Sequence, residues 1–210
     1  MYRFLFYGLG VLILSCGVML TIKSGLGSTP VSSPPYCLSL LFGLDFGGMT
    51  FCLYSLFVVG EIIVQRKVRI MDLLQLPYSL AFSQLLNFYG AYIPYDPTEH
   101  GFTMNFLILL LAVVFTGVGI TLMVNMRLLP NPGDGLTQVV SDRYGCDQGL
   151  AKNVLDLACV SLTILIGVFT TGKVVAIGLG TVVSMLGVGR VISVTNRLFK
   201  AKVCQLAGTH

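Results

Sequence analysis

Residues 104–124 have the sequence MNFLILLLAVVFTGVGITLMV, which contains no charged side chain. A helix of about 20 predominantly apolar residues is long enough to cross the hydrocarbon core of a bilayer. Five other stretches have a similar length and character: residues 2–22, 47–64, 73–93, 149–170 and 174–194. We therefore predict an all-α membrane protein with about six transmembrane helices.

The composition of the chain agrees with a membrane location. Hydrophobic residues make up 55% and charged residues 10% of the 210 positions, whereas soluble domains carry roughly a quarter charged residues. The formal net charge is +4, but the basic residues cluster near the ends of the apolar stretches. That distribution is typical of membrane topology, so we predict the lipid bilayer as a partner and no nucleic-acid partner.

The second half of the chain repeats the first. Identical residues recur at a constant separation of 102: Gly17 with Gly119, Pro30 with Pro132, Gly43 with Gly145, Asp45 with Asp147 and Gly47 with Gly149. Each half is predicted to contain a long helix, a break rich in proline or glycine, a short apolar stretch and two long helices. The short stretches, 34–42 and 135–144, are too short to span a bilayer. We assign repeat 1 to residues 1–95 and repeat 2 to residues 104–198 of a single transmembrane domain, 1–210.

The number of crossings in each half decides how the two halves are oriented. Three crossings invert the second half relative to the first, whereas four keep the halves parallel. With three crossings and a cytoplasmic N-terminus, eleven of the thirteen basic residues are cytoplasmic and only Lys23 and Lys173 lie outside, as the positive-inside rule favours. We therefore predict an inverted 3+3 repeat in the cytoplasmic membrane, with both termini cytoplasmic and a short re-entrant or broken helix in each half. The alternative is that the short stretches are amphipathic connectors in the membrane interface.

The break in the second half has the sequence Asn131-Pro132-Gly133-Asp134-Gly135. Such an irregular backbone is tolerated at membrane depth only where protein or a water-filled cavity satisfies its polar groups. Asp134 is therefore our first candidate for substrate binding, together with Asn131. The alternative is that Asp134 is the N-cap of a helix that starts at Gly135, and the two roles are compatible.

The first half has Ser32-Ser33-Pro34-Pro35 at the matching place, without a carboxylate. We include Ser32 and Ser33 among the candidate substrate-binding residues because a helix N-terminus favours anionic groups. On this hypothesis the first break receives a negative group, and Asp134 receives a cation or a hydroxyl. Such a pair of sites would suit a zwitterionic or polar substrate.

Ionisable and amide side chains inside the predicted spans supply further candidates. Lys152 and Asp156 are separated by four residues, so they share a helix face and can form an ion pair. Asn153 follows Lys152 directly, and Gln84 lies near the middle of the third span. Ionisable residues within a span are functional candidates by default, although a purely structural ion pair and interhelical hydrogen bonds are the alternatives.

The sequence does not favour an enzyme. Its two histidines are His100, in a predicted outer loop, and His210, at the end of the chain, so no span carries a histidine for nucleophilic or metal-assisted catalysis. The six cysteines are scattered and form no C-x-x-C pair. We therefore predict no catalytic residue, no metal site and no cofactor.

Several of these motifs also occur together in one family. The motifs are Pro132-Gly133-Asp134-Gly135, Lys152 four residues before Asp156, Gly178-Leu179-Gly180-Thr181, and Gly187 with Gly189. In them the chain resembles the YczE/YyaS/YitT-type family of bacterial membrane proteins, over nearly its whole length. The first half departs from the family pattern, since Gly27-Ser28-Thr29-Pro30 is followed by Val31-Ser32 where tryptophan and aspartate are expected. The function of that family is poorly defined, so the resemblance implies membership without a mechanism.

The leading functional hypothesis is a small secondary transporter or permease for a small polar or organic solute. Inverted repeats with discontinuous helices are typical of such proteins, and their sites lie near the bilayer midplane at the repeat interface. We expect Asp134, Asp156, Lys152 and Gln84 near the pathway. The alternatives are an accessory membrane protein that supports a partner or pathway, and a small channel. The glycines of the last predicted span, at 178, 180, 187 and 189, either mediate a homodimer or pack internally.

Overall fold

The computed structural model describes residues 2–207, with side chains for residues 2–198. Within that range the chain forms eight α-helices and no strand. The helices are α1 (Tyr2–Lys23), α2 (Ser33–Phe42), α3 (Phe46–Gln65), α4 (Ile70–Tyr92), α5 (Phe102–Met126), α6 (Pro132–Tyr144), α7 (Gln148–Thr171) and α8 (Leu179–Ala207). The order long, short, long, long therefore occurs twice, as predicted.

Three helix starts differ by three residues or more from the sequence-based expectations, and one of them is α4, which starts at Ile70 rather than at residue 73. The second short helix, α6, starts at Pro132 rather than at residue 135, because proline is accommodated at the first helical position. The last helix, α8, starts at Leu179 rather than at residue 174. Ala176 has a φ of +66°, a left-handed conformation that a right-handed helix cannot contain. The apolar residues before Gly178 therefore belong to an irregular segment, and hydropathy alone did not separate it from the helix.

Five of the described helices are long and apolar enough to cross a membrane: α1, α3, α5, α7 and the 179–198 part of α8. On α5 the exposed side chains include Leu107, Leu111 and Val114, which form an apolar surface suited to lipid. The remaining predicted span, residues 73–93, corresponds to α4, which has 23 residues but contains Pro77 and the buried polar residue Gln75. The total of six spans remains a prediction.

The chain folds as two compact units. The first consists of the described parts of 1–29, 88–128 and 178–210, and thus holds α1, α5, α8 and the end of α4. The second consists of 30–87 and 129–177, and holds α2, α3, most of α4, α6 and α7.

In the first unit α1 and α5 pack closely and run antiparallel. A methyl group added at Gly17 would lie 2.6 Å from the backbone nitrogen of Thr116, and one added at Gly119 would lie 2.6 Å from that of Leu14. Gly10, earlier on α1, lies beside Met123, which is later on α5. Positions that come earlier on α1 thus meet positions that come later on α5. Glycine permits this close approach, as small residues do at membrane helix interfaces.

The helices α5 and α8 run parallel in the same unit. Their contacts follow the same order on both helices: Leu109 with Gly180, Val113 with Gly187, Gly117 with Val191 and Asn125 with Asn196. The Asn125 Nδ2 donates to Asn196 Oδ1 at 2.8 Å. At the other end, the backbone nitrogen of Gly180 donates to the carbonyl of Leu26 at 2.7 Å, so the chain after α1 is attached to the start of α8.

The loop between α4 and α5 is held by its own polar groups. The Tyr95 hydroxyl donates to Asn105 Oδ1 at 2.6 Å, and Asn105 Nδ2 donates to the carbonyl of Pro97 at 3.0 Å. The backbone and hydroxyl of Thr98 both donate to Asp96 Oδ1, and these hydrogen bonds lower the pKa of Asp96.

In the second unit each short helix packs on both neighbouring long helices. The contacts join α2 to α3 and α7, and α6 to α3 and α7. The turns after the two short helices are built alike, since each helix is followed by a C-cap glycine in the left-handed conformation, Gly43 after α2 and Gly145 after α6. Asp45 Oδ2 then accepts from the Gly48 nitrogen at the start of α3, and Asp147 Oδ2 from the Gly149 nitrogen at the start of α7.

Candidate functional site

The first turn of α6 is capped by Asn131. Its Oδ1 accepts from the backbone nitrogen of Gly133 at 3.3 Å, and Pro132 occupies the first helical position. The alternative role of Asp134 as the N-cap is therefore wrong. Because Asn131 supplies the cap, the Asp134 carboxylate is left to make other contacts.

Asp134 is paired with Lys152 of α7. Lys152 Nζ lies 3.0 Å from Asp134 Oδ1, at the distance of a charge-assisted hydrogen bond, and 3.9 Å from Asp156 Oδ1. Lys152 and Asp156 lie four residues apart on one helix face, as expected. The closer partner, Asp134, comes from α6, so this cluster joins the first turn of the short helix to a long one.

The three charged groups differ in their exposure. The side chains of Lys152 and Asp134 are 38% and 30% exposed, whereas that of Asp156 is 12% exposed. Asp156 Oδ1 is buried and accepts no hydrogen bond within the described residues. Two carboxylates thus share one ammonium group, and the more buried carboxylate retains capacity for a hydrogen-bond donor. This acidic excess can bind an amine or hydroxyl of a ligand.

The sequence-based hypothesis had Asp134 receiving a cation or a hydroxyl from the substrate. In the structure the cation beside Asp134 is the ammonium of Lys152 itself. A ligand must therefore either share this pair or use Asp156, whose distance to Lys152 is too long for a hydrogen bond.

The break before α6 is also attached to α3. Asn131 Nδ2 donates to the hydroxyl of Tyr54 at 3.3 Å. Tyr54 is buried, and its ring stacks on those of Phe57 and Phe82 with centroids 6.2 and 5.7 Å away. This aromatic group holds Asn131 in place, and with it the start of the turn that carries Asp134.

The first break is chemically different, as predicted. The Ser33 hydroxyl donates to the carbonyl of Pro30 at 2.7 Å and lies 2.9 Å from Thr163 Oγ1 of α7. Ser32 is buried beside it at the N-cap position of α2. Ser33 is completely buried, and its contact with Thr163 joins α2 to α7.

Two other candidates lie outside the charged cluster. The side chains of Asn153 and Gln84 are exposed, on α7 and α4 respectively, and neither takes part in the hydrogen bonds or ion pairs of Lys152, Asp134 and Asp156. Both remain predictions as site residues. By contrast, Asn87 joins α4 to α3, because its Oδ1 accepts from Gly47 N and its Nδ2 donates to Asp45.

A second polar contact escaped the sequence analysis. Gln75 Nε2 of α4 donates to Glu61 Oε2 of α3 at 2.8 Å, and each side chain belongs to a residue that is only 1% exposed. A methyl group added at Gly135 of α6 would lie 2.5 Å from Glu61 Oε1. The signal that could have revealed Glu61 was its position as the only acidic residue of the apolar stretch 47–64.

Comparison with known proteins places the chain in a family. The model of a family described as "Family of unknown function (DUF6198)" matches residues 1–197. The chain belongs to this family. It is also 28% identical over 193 residues to the Bacillus subtilis (strain 168) "Uncharacterized membrane protein YczE", which covers 90% of this chain and 83% of YczE.

A second relative of this DUF6198 family member matches a shorter part. The "Uncharacterized protein YyaS" of the same organism is 37% identical over 65 residues, which is 31% of this chain and 32% of YyaS. The predicted resemblance to YczE and YyaS is thus confirmed. No solved structure matches the chain.

Proposed function

We propose that this DUF6198 family member is a small secondary transporter or permease for a small polar or organic solute. The observation that carries the proposal is the partly exposed cluster of Lys152, Asp134 and Asp156 between a short helix and an apolar long one. Charged groups are costly inside a bilayer, and where they occur they mark solute or ion pathways. The solute we favour carries an amine or hydroxyl, because the cluster has one more carboxylate than it has ammonium groups.

An inverted repeat is the architecture that such transporters use, and the first unit supports it. Under the separation of 102, the contact of Gly17 with Thr116 becomes the contact of Gly119 with Leu14, and both occur. A pair of helices that exchange contacts in this way is related by an approximate two-fold axis. Because α1 and α5 are antiparallel, the two halves begin in opposite directions.

The direction of α8 supports three crossings per half. If α6 crossed the membrane, four crossings would leave α5 and α8 antiparallel. Their contacts instead run parallel, from Leu109 with Gly180 to Asn125 with Asn196. We therefore propose three crossings per half, with α4 as a span and with α2 and α6 as re-entrant or broken segments. The positive-inside rule then places both termini in the cytoplasm.

The second unit obeys the same relation but with different chemistry. The separation of 102 converts the contact of Ser33 with Thr163 into that of Gly135 with Glu61, and both contacts occur. Equivalent places thus hold two hydroxyls in one case and a carboxylate in the other. The two halves of the chain therefore differ in chemistry at equivalent places.

The proposal is tested first by ligand-dependent thermal stability. Detergent-purified wild-type protein, Asp134→Asn and the matched control Asp142→Asn, which removes an exposed carboxylate from the same helix, are compared against a panel of small metabolites. A solute at a hundred times its Kd should raise the free energy of unfolding by about 2.7 kcal/mol. We expect a saturable increase in the wild type and the control that is lost in Asp134→Asn.

Flux in proteoliposomes then tests transport itself. Uptake of the stabilising solute should be abolished in the double variant Asp134→Asn/Asp156→Asn and retained in Asp142→Asn. Flux that is unaltered in the double variant would contradict the roles of both aspartates. A protein that shows no solute response and co-purifies with one partner would instead be an accessory protein.

A further inference from the structure

A buried carboxylate lies where α3, α4 and α6 meet, apart from the ion-paired cluster. Glu61 Oε2 accepts from Gln75 Nε2 at 2.8 Å, but Glu61 Oε1 and Gln75 Oε1 are both buried and accept no hydrogen bond within the described residues. Both residues are only 1% exposed. Two oxygen acceptors, one of them on a carboxylate with a single hydrogen bond, are therefore removed from water without a donor, which is a costly arrangement.

No described group donates to Glu61 Oε1, and the amide of Gln65, one turn further along α3, is also buried and forms no hydrogen bond within the described residues. Gly135 of α6 lies beside Glu61 Oε1, and its backbone nitrogen already donates to the carbonyl of Asn131 at 2.8 Å. The charged groups whose fields reach Glu61 are Arg69 and Asp72. The backbone nitrogen of Arg69 donates to Asp72 Oδ2, and neither residue forms an ion pair with Glu61.

The chemistry of the two unpartnered atoms, Glu61 Oε1 and Gln75 Oε1, defines the kind of ligand that could bind them. Both are oxygens that accept, so the ligand must bring positive charge or an acidic hydrogen. Oxygen ligands suit hard cations, and oxygen atoms at breaks in transporter helices coordinate Na⁺. A divalent ion would call for more carboxylates, and no group of three or more His, Cys, Asp or Glu residues lies together in the described chain. One carboxylate matches one unit of positive charge.

We propose that Glu61 and Gln75 form a binding site for a single positive charge, supplied by an alkali cation or by a proton. A cation would be held by Glu61 Oε1 with the amide oxygen of Gln75, whereas a proton on Glu61 would remove the charge and convert an acceptor into a donor. The site lies against Gly135, the residue that follows Asp134. The proposal does not require that the chain transports a solute.

Thermal unfolding of the detergent-purified protein tests the site. The wild type, Glu61→Gln and the control Asp142→Asn are unfolded in sodium, potassium, lithium and choline chloride at one ionic strength, and across a range of pH. At a hundred times its Kd, a cation should raise the midpoint temperature of unfolding of the wild-type protein by roughly 5 to 10 °C. If the positive charge is a proton, the midpoint should rise on acidification instead, because the folded state then binds a proton that the unfolded chain releases.

The variants decide whether Glu61 is responsible. We expect the unfolding temperature of Glu61→Gln to lose its dependence on the cation or on acidification, and that of Asp142→Asn to keep it. A wild type that responds to neither cations nor pH, or a Glu61→Gln variant that responds as the wild type does, would overturn the proposal.

A second variant covers the case in which Glu61→Gln does not fold. Gln75→Leu keeps the carboxylate but removes the amide, so it should shift the half-maximal cation concentration at least tenfold, or the pH midpoint by at least about one unit. If neither the half-maximal cation concentration nor the pH midpoint changes in this variant, the proposal is also overturned.

Discussion

At the scale of single residues, Lys152 is the central member of the charged cluster. Its ammonium lies 3.0 Å from one carboxylate and 3.9 Å from another, so it is the common partner of Asp134 and Asp156. The ion pair is partly exposed, so solvent screens the attraction between its charges and its contribution to stability is modest. Removing the lysine still leaves the largely buried carboxylate of Asp156 without a counter-charge.

We expect Lys152→Met to lower the free energy of unfolding by about 1–2 kcal/mol, since it leaves Asp134 and Asp156 unpaired. Combination with Asp134→Asn in a double-mutant cycle should recover part of this loss as a coupling energy of at least about 0.5 kcal/mol. Unfolding of the detergent-solubilised variants measures both values. Strictly additive effects would show that the 3.0 Å contact contributes no stability.

At the scale of the helices, small residues allow close packing in the first unit. Gly17 and Gly119 occupy equivalent places in the contact between α1 and α5, where an added methyl group would meet backbone atoms that cannot move independently of their helices. Gly8, on the same helix as Gly17, has no neighbouring atom within 4 Å of its added methyl position. These positions separate the packing role of glycine from its low helix propensity.

The substitution Gly17→Ala should therefore destabilise the protein by about 1–3 kcal/mol through overpacking, and Gly119→Ala should behave alike. The matched control Gly8→Ala should be neutral or stabilising by up to about 1 kcal/mol, because alanine is the better helix former. Thermal or denaturant unfolding distinguishes them. Equal effects at Gly8 and Gly17 would contradict the close contact of α1 with α5.

At the scale of the whole molecule, the proposed topology sets which loops share a side of the membrane. Three crossings per half place the α3–α4 and α6–α7 loops on the cytoplasmic side, and the α4–α5 and α7–α8 loops outside. Exposed positions are present in or beside all four loops: Lys67, Glu99 and Lys173 lie within loops, and Arg143 lies in the last turn of α6, beside the α6–α7 loop.

Single cysteines at these four positions, in a background without the native cysteines, test that arrangement. In intact cells a membrane-impermeant thiol reagent should label Glu99→Cys and Lys173→Cys, and it should label Lys67→Cys and Arg143→Cys only after permeabilisation. Labelling of Lys67→Cys and Arg143→Cys from opposite sides would mean that an odd number of crossings separates them, either because α6 crosses the membrane or because α4 does not, and it would overturn the 3+3 arrangement.

The main elements of this protein follow from its sequence. Long apolar stretches must form helices in a bilayer because no water is present to satisfy their backbone groups, and proline and glycine interrupt those helices at 30–35 and 131–135. The caps at Asp45 and Asp147 are local too, since each accepts from residues two or three positions away. Such features involve neighbours along the chain, so residue type and spacing are enough to predict them.

The partners across helices were determined by tertiary packing. The sequence paired Lys152 with Asp156, four residues away, whereas the shorter contact is with Asp134, eighteen residues earlier. Glu61 with Gln75 and Ser33 with Thr163 were likewise absent from the predictions. Such contacts depend on the rotation of each helix about its axis and on its distance from the next helix. Hydropathy specifies neither quantity, because both result from how all the side chains of the packed helices fit together.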